Sequence, residues 1–371
     1  MTYKILIAAG GSGGHIYPAM GVAAELLKQD PKLELMFAAG GLADSPFFDR
    51  KAFAWESISS APLNKKNPFN LLKNCGAIAK GVWQSHRVLS AFKPDLVIGF
   101  GSYHIFPMLL AAQLKRYPIA LHEQNSKPGK VISLFSKRAL ITGVYFPSAT
   151  EALKGKSSLL AMPLRPGFSR STYTKEEACS YFQLDPTKTT LLVFGGSQGA
   201  KFINKTIAPL LATYSKTDDS FQILHFTGNL IEAEQVTSTY ANLAASGLKV
   251  VVKPSESRMD LAWRAADLAI VRAGAGTIAE QIEFEVPAIF IPYPHGDGHQ
   301  EGNADFVIEV LGGGWKMREI DWQQSQFLTI LSHILEKNSS LLIEKQKNLA
   351  LHKDNSSRQE FTWVIRNLLK K

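Results

Sequence analysis

Cysteine is nearly absent from this 371-residue chain; Cys75 and Cys179 are the two it has. Two isolated thiols build neither a disulfide framework nor a cysteine-based metal site, and they fit a reducing compartment. No apolar run approaches the ~18–20 residues that cross a bilayer. The opening stretch, MTYKILIAAGG, has one lysine and an apolar run too short for a secretory signal. A cytoplasmic protein is expected, able to touch a membrane without spanning it. No G-x-x-x-x-G-K-[ST] occurs, which excludes a P-loop. Zinc-finger, RNP and basic-zipper signatures are missing too, so nucleic acid is the weakest candidate among anionic partners.

What is present is ordinary in amount and uneven in placement. Hydrophobic residues make up 45% and charged residues 20% of the chain, enough for a large core, and the length predicts two domains. The net charge is +9, but through Arg165 there are 20 Lys+Arg against 9 Asp+Glu, and beyond it 21 against 23. The first half therefore carries the whole excess and faces either solvent or something anionic, such as acidic lipid or a phosphorylated substrate. Within it, residues 62–91 interleave Lys65, Lys66, Lys73, Lys80 and Arg87 with Phe69, Leu72, Ile78, Val82 and Trp83. A basic amphipathic helix of this kind either packs on its own core or lies in a bilayer interface.

Short apolar runs alternate with helical periodicity. KILIAAGGSGG precedes PAMGVAAELLKQ, DLVIGFGSY precedes FPMLLAAQL, and TLLVFGGSQGA and DLAIVRAGAGT each lead into a helical pattern. Such alternation predicts an α/β protein with parallel sheets between helices. Pro163 and Pro166 in AMPLRPGF mark a connector. There is also an internal echo, since VFGGSQGAKFIN at 193–204 repeats the order of IAAGGSGGHIYP at 7–18. Two doubly wound domains, with ligand outside the carboxyl ends of their strands, are the expected architecture. The assigned boundaries are 1–163, 164–350 and a closing helix in 351–371 that could return to the first domain.

The glycine loops narrow the ligand. A helix N-terminus offers unpaired N–H groups and partial positive charge, and glycine lets an anion come close to them. The dinucleotide pattern G-x-G-x-x-G fails because Ile16 stands where its last glycine belongs, and no acidic residue ends the strand LMFAAGG. Phosphate or a sugar diphosphate remains. In RAGAGTIAE at 272–280 a helix is expected to begin near Thr277, with Glu280 one turn in. That carboxylate either accepts hydrogen bonds from a ribose diol or complements the helix dipole. In PYPHGDGHQEGNA, Gln300 and Asn303 are three residues apart and could share a helical face; amide side chains suit sugar hydroxyls, or else this is a solvated loop. His295, Asp297 and His299 do not have a standard ligand spacing. Asp-x-Asp, a common clamp for a metal-bound diphosphate, is missing throughout, so no metal or other cofactor is expected.

The segments GGSGGHIYP, GFGSYHIFP, LHEQNSKPG, PLR, FGGSQGAKFIN, RAGAGTIAE and HQEGNA, in that order between about residues 4 and 310, closely resemble the MurG family of bacterial glycosyltransferases. The resemblance implies the two-domain GT-B fold, two Rossmann-like domains facing across a cleft. It also implies inverting transfer of N-acetylglucosamine from UDP-N-acetylglucosamine (UDP-GlcNAc) to lipid I, the undecaprenyl-pyrophosphoryl muramoyl-pentapeptide. The product is lipid II, for peptidoglycan and hence for cell shape and division. The implied place is the cytoplasmic face of the inner membrane, peripherally bound to an anionic surface, with partner proteins of cell-wall synthesis.

Carried over by position, Ser12, Gly13 and Gly14 lie near donor sugar and phosphates, and Asn125 touches the donor N-acetylglucosamine. Arg165 lies on the uracil side, and Ser197 meets a phosphate. Ala275, Gly276, Thr277 and Glu280 hold diphosphate and ribose, Gln300 binds sugar hydroxyls, and the uracil edge pairs with main chain near Glu256; Asn303 is a substrate-binding candidate from its spacing to Gln300. Three places depart from the family pattern. Ala161-Met162-Pro163 replaces a Gly-Asn-Pro, PSES precedes MDLAW where apolar residues are usual, and Glu301-Gly302 follows Gln300.

The chemistry needs a base for the acceptor hydroxyl. His15 is the first candidate, because an unperturbed histidine titrates near neutrality, and Glu123 is the second, since desolvation would raise its pKa. The rival readings are a UDP-N-acetylglucosamine 2-epimerase, a related transferase acting on diacylglycerol, and a UDP-sugar-binding regulator.

Overall fold

A computed structural model of the chain describes residues 2–62, 68–162, 164, 167–196, 198–214, 221–245, 247–295, 298–335, 339–355 and 359–370. The chain divides into two compact units, residues 1–166 with 358–371, and residues 167–357.

The first unit runs β1 (Lys4–Ala8), α1 (Gly13–Gln29), β2 (Glu34–Ala39), β3 (Ala54–Ser57), α2 (Pro68–Phe92), β4 (Leu96–Gly99), α3 (Phe106–Leu114), β5 (Ile119–Glu123), α4 (Lys130–Ser136), β6 (Ile141–Val144), α5 (Pro147–Ala152) and β7 (Ser157–Leu159). Its strands form one parallel sheet in the order β3-β2-β1-β4-β5-β6-β7. Helices cover the sheet on both faces, so its middle strands can be apolar throughout. Ile5, Leu6, Ile7, Val97, Ile98, Ala120 and Leu121 are all buried.

The second unit runs α6 (Lys175–Tyr181), β8 (Thr189–Phe194), α7 (Ala208–Tyr214), β9 (Phe221–Phe226), α8 (Leu230–Ala245), β10 (Val250–Lys253), α9 (Met259–Ala265), β11 (Leu268–Val271), α10 (Ala275–Phe284), β12 (Ala288–Phe290), α11 (His299–Asp305), β13 (Gly314–Lys316), α12 (Gln324–Leu335) and α13 (Ser340–Asn355). Its parallel sheet has the order β10-β9-β8-β11-β12-β13. The last helix, α14 (Phe361–Leu369), belongs to the first unit, where Phe361, Val364 and Ile365 join the core.

In each sheet the strand order reverses once, between β1 and β4 and between β8 and β11. Outside the carboxyl ends at such a point, neighbouring loops splay apart and leave a crevice for ligand. The echo in the sequence is an echo in the backbone. Gly11 after β1 and Gly196 after β8 are the second glycines of matching pairs, and their φ angles are +89° and +88°. Only glycine adopts that conformation without strain.

Two expectations change. The helix after RAGAG begins at Ala275, two residues before Thr277, because Gly274 in extended conformation already serves as its N-cap. In α2, Val82 packs against the core of the first unit and Ile78 is half-buried, so neither belongs to an outward apolar face. That face is carried by Leu72 and Trp83, 75% and 58% exposed, flanked by exposed Lys73, Lys80 and Arg87. Arg87 stacks on Trp83 at 5.0 Å. Lys65 and Lys66 lie outside the described residues, as does the side chain of Phe69.

Candidate active site

At the switch point of the first sheet, three groups meet. Ser12 is the N-cap of α1 but makes no side-chain cap bond. Its Oγ instead lies 3.1 Å from Nδ1 of His15, one turn along. Across from His15 is Gly101, in the loop after β4, with φ +90°. A Cβ there would stand 2.9 Å from His15 Cδ2 and 3.1 Å from Nε2, so the absence of a side chain is what lets the imidazole lie against that loop. Gly13 is buried and Gly14 exposed in the first turn of α1, which carries no acidic residue. Its leading N–H groups are therefore not neutralised by a carboxylate of its own first turn.

Glu123 ends β5, the next strand, and turns into its own loop. Oε1 accepts from the backbone N–H of Asn125 at 2.9 Å and from Asn125 Nδ2 at 3.3 Å, and Oε2 accepts from the N–H of Gly129 at 2.8 Å. Burial raises its pKa to about 7, and these hydrogen bonds, which favour the carboxylate, work against the rise. Asn125 is half-buried and held in place by the same carboxylate. The adjacent His122 is buried between Phe100 and Phe361, with ring centroids 5.1 and 5.3 Å away, and among the described residues neither ring nitrogen has a partner at full hydrogen-bond geometry. Burial lowers its pKa to about 4; the nearby Gln124 side chain opposes this and His15 adds to it.

In the second unit, α10 opens with Gly274 as N-cap, no side-chain cap bond and no acidic residue in its first turn. Ala275 is buried, Gly276 is exposed and Thr277 is half-buried. These leading N–H groups and those of α1 form the same kind of anion-receptive end. Glu280 accepts a 2.8 Å hydrogen bond from Nε1 of the fully buried Trp263 in α9. This is a tie that sequence spacing did not show.

Gln300 and Asn303 do different things although both are on α11. Gln300 Oε1 accepts from the N–H of Tyr293 at 3.0 Å, closing the loop after β12. Asn303 is fully buried, and its Nδ2 donates to the carbonyl of Ala273 at 3.1 Å. The shared sugar-facing surface expected for the pair is not what the helix presents; Asn303 holds the loop that leads into α10. Glu256 also points inward. Its carboxylate pairs with Lys253 at 2.7 Å and accepts from the N–H of Arg258 at 2.9 Å. Arg165 and Ser197 lie outside the described residues, as does Asp297. Among the described residues no group of three or more His, Cys, Asp or Glu side chains could hold a metal ion.

Three side chains missed by reading the sequence shape these loops. Arg272, buried at the end of β11, donates to the carbonyls of Ile291 and Pro292 at 3.0 and 3.1 Å and pairs with Glu319 at 2.6 Å. It thereby ties the loop after β12 to the one after β11. His104 places Nδ1 3.0 Å from Ser60 Oγ and packs beneath Gly10 and Gly40. Asn204 is the third. Its place in an FGGSQGAKFIN segment was visible, but its inward orientation was not.

Family models match both units. The glycosyltransferase family 28 N-terminal domain matches residues 5–143 and the C-terminal domain residues 190–361. A UDP-N-acetylglucosamine--N-acetylmuramyl-(pentapeptide) pyrophosphoryl-undecaprenol N-acetylglucosamine transferase from Protochlamydia amoebophila is 45% identical over 95% of this chain and 92% of its own length. The chain belongs to the MurG family of glycosyltransferases. The Chlamydia felis enzyme of the same name is 33% identical over 98% of both chains. The crystal structure of MurG from Acinetobacter baumannii superposes with a TM-score of 0.76 at 25% identity, covering 100% of this chain and 99% of that one. UGT71G1 from Medicago truncatula, solved complexed with UDP-glucose, shares the fold, with a TM-score of 0.69 at 12% identity and coverage of 100% and 98%. The fold of this family member is therefore GT-B, and the protein is a hexosyltransferase.

Proposed function

We propose that the enzyme transfers N-acetylglucosamine from UDP-GlcNAc to the muramoyl C4 hydroxyl of lipid I, giving lipid II, with inversion and without a metal. The observation that carries this is the pair of matched glycine loops, Gly11 at φ +89° and Gly196 at φ +88°, each beside the switch point of its sheet, in a chain 45% identical to a transferase of that name. Two anion-receptive loops suit a reaction in which both donor and acceptor carry a diphosphate.

The acceptor hydroxyl attacks the anomeric carbon from the face opposite UDP. Positive charge develops on the sugar and negative charge on the leaving diphosphate. The N–H groups that open α10 are fixed before the reaction, so they stabilise that charge without reorganising and without a Lewis acid, and Ser197 would add a phosphate contact. Ala275, Gly276 and Thr277 serve the diphosphate, Glu280 the ribose, Gln300 the sugar, main chain near Glu256 the uracil, and Arg165 the uracil side. Ser12, Gly13, Gly14 and Asn125 complete the donor-sugar and acceptor-phosphate side. Asn303 contributes by holding the Ala273 carbonyl.

His15 is the base in this reading. This role uses the tautomer in which Nδ1–H is donated to Ser12 Oγ, 3.1 Å away, and Nε2 takes the hydroxyl proton. Glu123 has a suitable pKa, but both its oxygens are engaged within the 123–129 loop, which suits a group that shapes the site rather than one that moves a proton.

The first unit would take the acceptor and meet the cytoplasmic face of the inner membrane through α2, where Lys73, Lys80 and Arg87 flank Leu72 and Trp83. No described helix is long and apolar enough to cross a membrane. Partner proteins of cell-wall synthesis would meet it there.

The test is incubation with UDP-GlcNAc and lipid I, with diacylglycerol supplied as a competing acceptor. Lipid II is expected. Release of an epimerised sugar, transfer to diacylglycerol in its place, or binding of UDP-GlcNAc without turnover would each overturn the assignment.

A further inference from the structure

Asn204 lies in a π-helical turn, Ile203–Ile207, just beyond the second glycine loop. Turns of that kind are rare and concentrate at functional sites. The side chain is buried and held at both ends. Oδ1 is 3.1 Å from Nε2 of His225, while Nδ2 donates to the carbonyl of Thr227 at 3.0 Å and to Glu232 Oε2 at 3.0 Å. Nδ1 of His225 is 3.2 Å from the hydroxyl of Tyr240. His225 and Tyr240 are themselves buried.

An amide oxygen only accepts, so Nε2 must carry the imidazole proton, and Nδ1 must accept from Tyr240. The chain thus has one direction, from Tyr240 through His225 and Asn204 to Thr227. Each side-chain nitrogen and oxygen of His225 and Asn204 has a partner, so the amide cannot flip without stranding a buried group. Burial lowers the His225 pKa to about 3, so the ring stays neutral at neutral pH.

The carbonyl that Asn204 holds is the seat of the glycine loop. A Cβ on Gly199 would run into Thr227 O, and one on Gly228 would run into Gly199. The N–H of Gly199 also donates to Gly196 O at 2.9 Å, closing the loop on itself. Loop and carbonyl are in direct contact, with no side chain between them to absorb a shift.

We propose that Asn204, oriented by His225, is a positioning residue for the loop after β8. It fixes the Thr227 carbonyl on which Gly199 rests, and so presets the loop amides for the diphosphate of a nucleoside-diphosphate sugar. The inference rests on the reading that this loop receives the donor diphosphate.

The experiment compares wild type, Asn204→Ala and Tyr240→Phe. The readouts are amide exchange across 195–203 without ligand, UDP binding by calorimetry, donor and acceptor KM, and thermal stability. Tyr240→Phe breaks the chain at its far end and serves as the stability control. Asn204→Ala is expected to lose loop protection and to weaken UDP by about tenfold or more, raising donor KM while acceptor KM holds. Tyr240→Phe should lower stability yet keep UDP affinity within about twofold of wild type. If Asn204→Ala does not fold, Asn204→Asp, which keeps the acceptor for His225 and loses the donors, is read the same way. Unchanged loop protection and UDP affinity in the Asn204 variants overturns the inference, as does equal loss of UDP affinity in Tyr240→Phe. Wild-type protein that binds no UDP, with loop protection still lost in Asn204→Ala, overturns the donor reading and leaves Asn204 as the support of the loop.

Discussion

Trp263 donates its indole N–H to Glu280 across 2.8 Å, so the carboxylate proposed to grip a ribose also satisfies a donor inside the second unit. A buried indole N–H without a partner is costly, and this bond links α9 to α10. Substituting Glu280 therefore tests two roles at once, and they need separating.

Glu280→Ala should weaken UDP binding by ~1–3 kcal/mol, the usual cost of losing a hydrogen bond to a charged group, and should also lower the melting temperature. Glu280→Gln keeps an acceptor for Trp263 and should restore stability while leaving UDP binding weakened. Calorimetric titration with UDP, read beside thermal melting, separates the effects. Normal UDP affinity in Glu280→Ala would reduce Glu280 to the partner of Trp263.

His15→Ala should lower turnover by ~10²–10⁴-fold with little change in UDP affinity if His15 is the base. Ser12→Ala should lower turnover less, because it removes the group that orients the ring and not the ring itself. Glu123→Gln should keep most of the turnover. Steady-state kinetics at saturating substrates decide the matter: a His15→Ala loss below about tenfold, with a larger loss in Glu123→Gln, would transfer the role.

His122 and Glu123 are neighbours with opposite pH behaviour. Glu123 has a folded pKa of about 7, above its reference of 4.5, so its contribution to stability is full below pH 4.5 and is lost as pH rises through about 7. His122 has a folded pKa of about 4, below its reference of 6.5, so its contribution is full above pH 6.5 and is lost as pH falls through about 4. Each shift corresponds to roughly 3 kcal/mol. Urea midpoints across pH 4–8 should show Glu123→Gln gaining on wild type as pH rises, and His122→Phe gaining as pH falls. Differences that stay flat with pH would mean that these groups titrate normally.

In the proposed mechanism N–H groups meet the charge on the leaving diphosphate, so turnover should survive EDTA. Collapse of activity in chelator, with recovery on adding Mg²⁺, would show that the metal-free mechanism is wrong.

Sedimentation with vesicles should rise with anionic lipid content and fall with salt, since each surface cation contributes ~1 kcal/mol near anionic headgroups. Replacing Lys73, Lys80 and Arg87 by glutamate should release the protein and leave UDP binding intact. Wild-type sedimentation of that triple variant would place the membrane face elsewhere.

The alternation of KILIA, LVIG, TTLLVF and LAIV with helical stretches already determined two parallel sheets, and the repeated glycine pair foretold the matching loops. These features are local, since periodicity and φ > 0 depend on a few adjacent residues. Which side chains face a ligand is another matter. Gln300 and Asn303 sit on one short helix with similar chemistry, yet one closes its own loop while the other is buried against Ala273, thirty positions away. Glu123 was a candidate base because desolvation would raise its pKa; Asn125 and Gly129, two and six positions on, meet its oxygens through an irregular turn that no periodicity announces. Asn204 is a motif letter until β9 and α8 bring His225 and Tyr240 beside it. A buried polar group must find its partners wherever the chain happens to pass, and those partners are chosen by packing across long stretches of sequence, which no local pattern records.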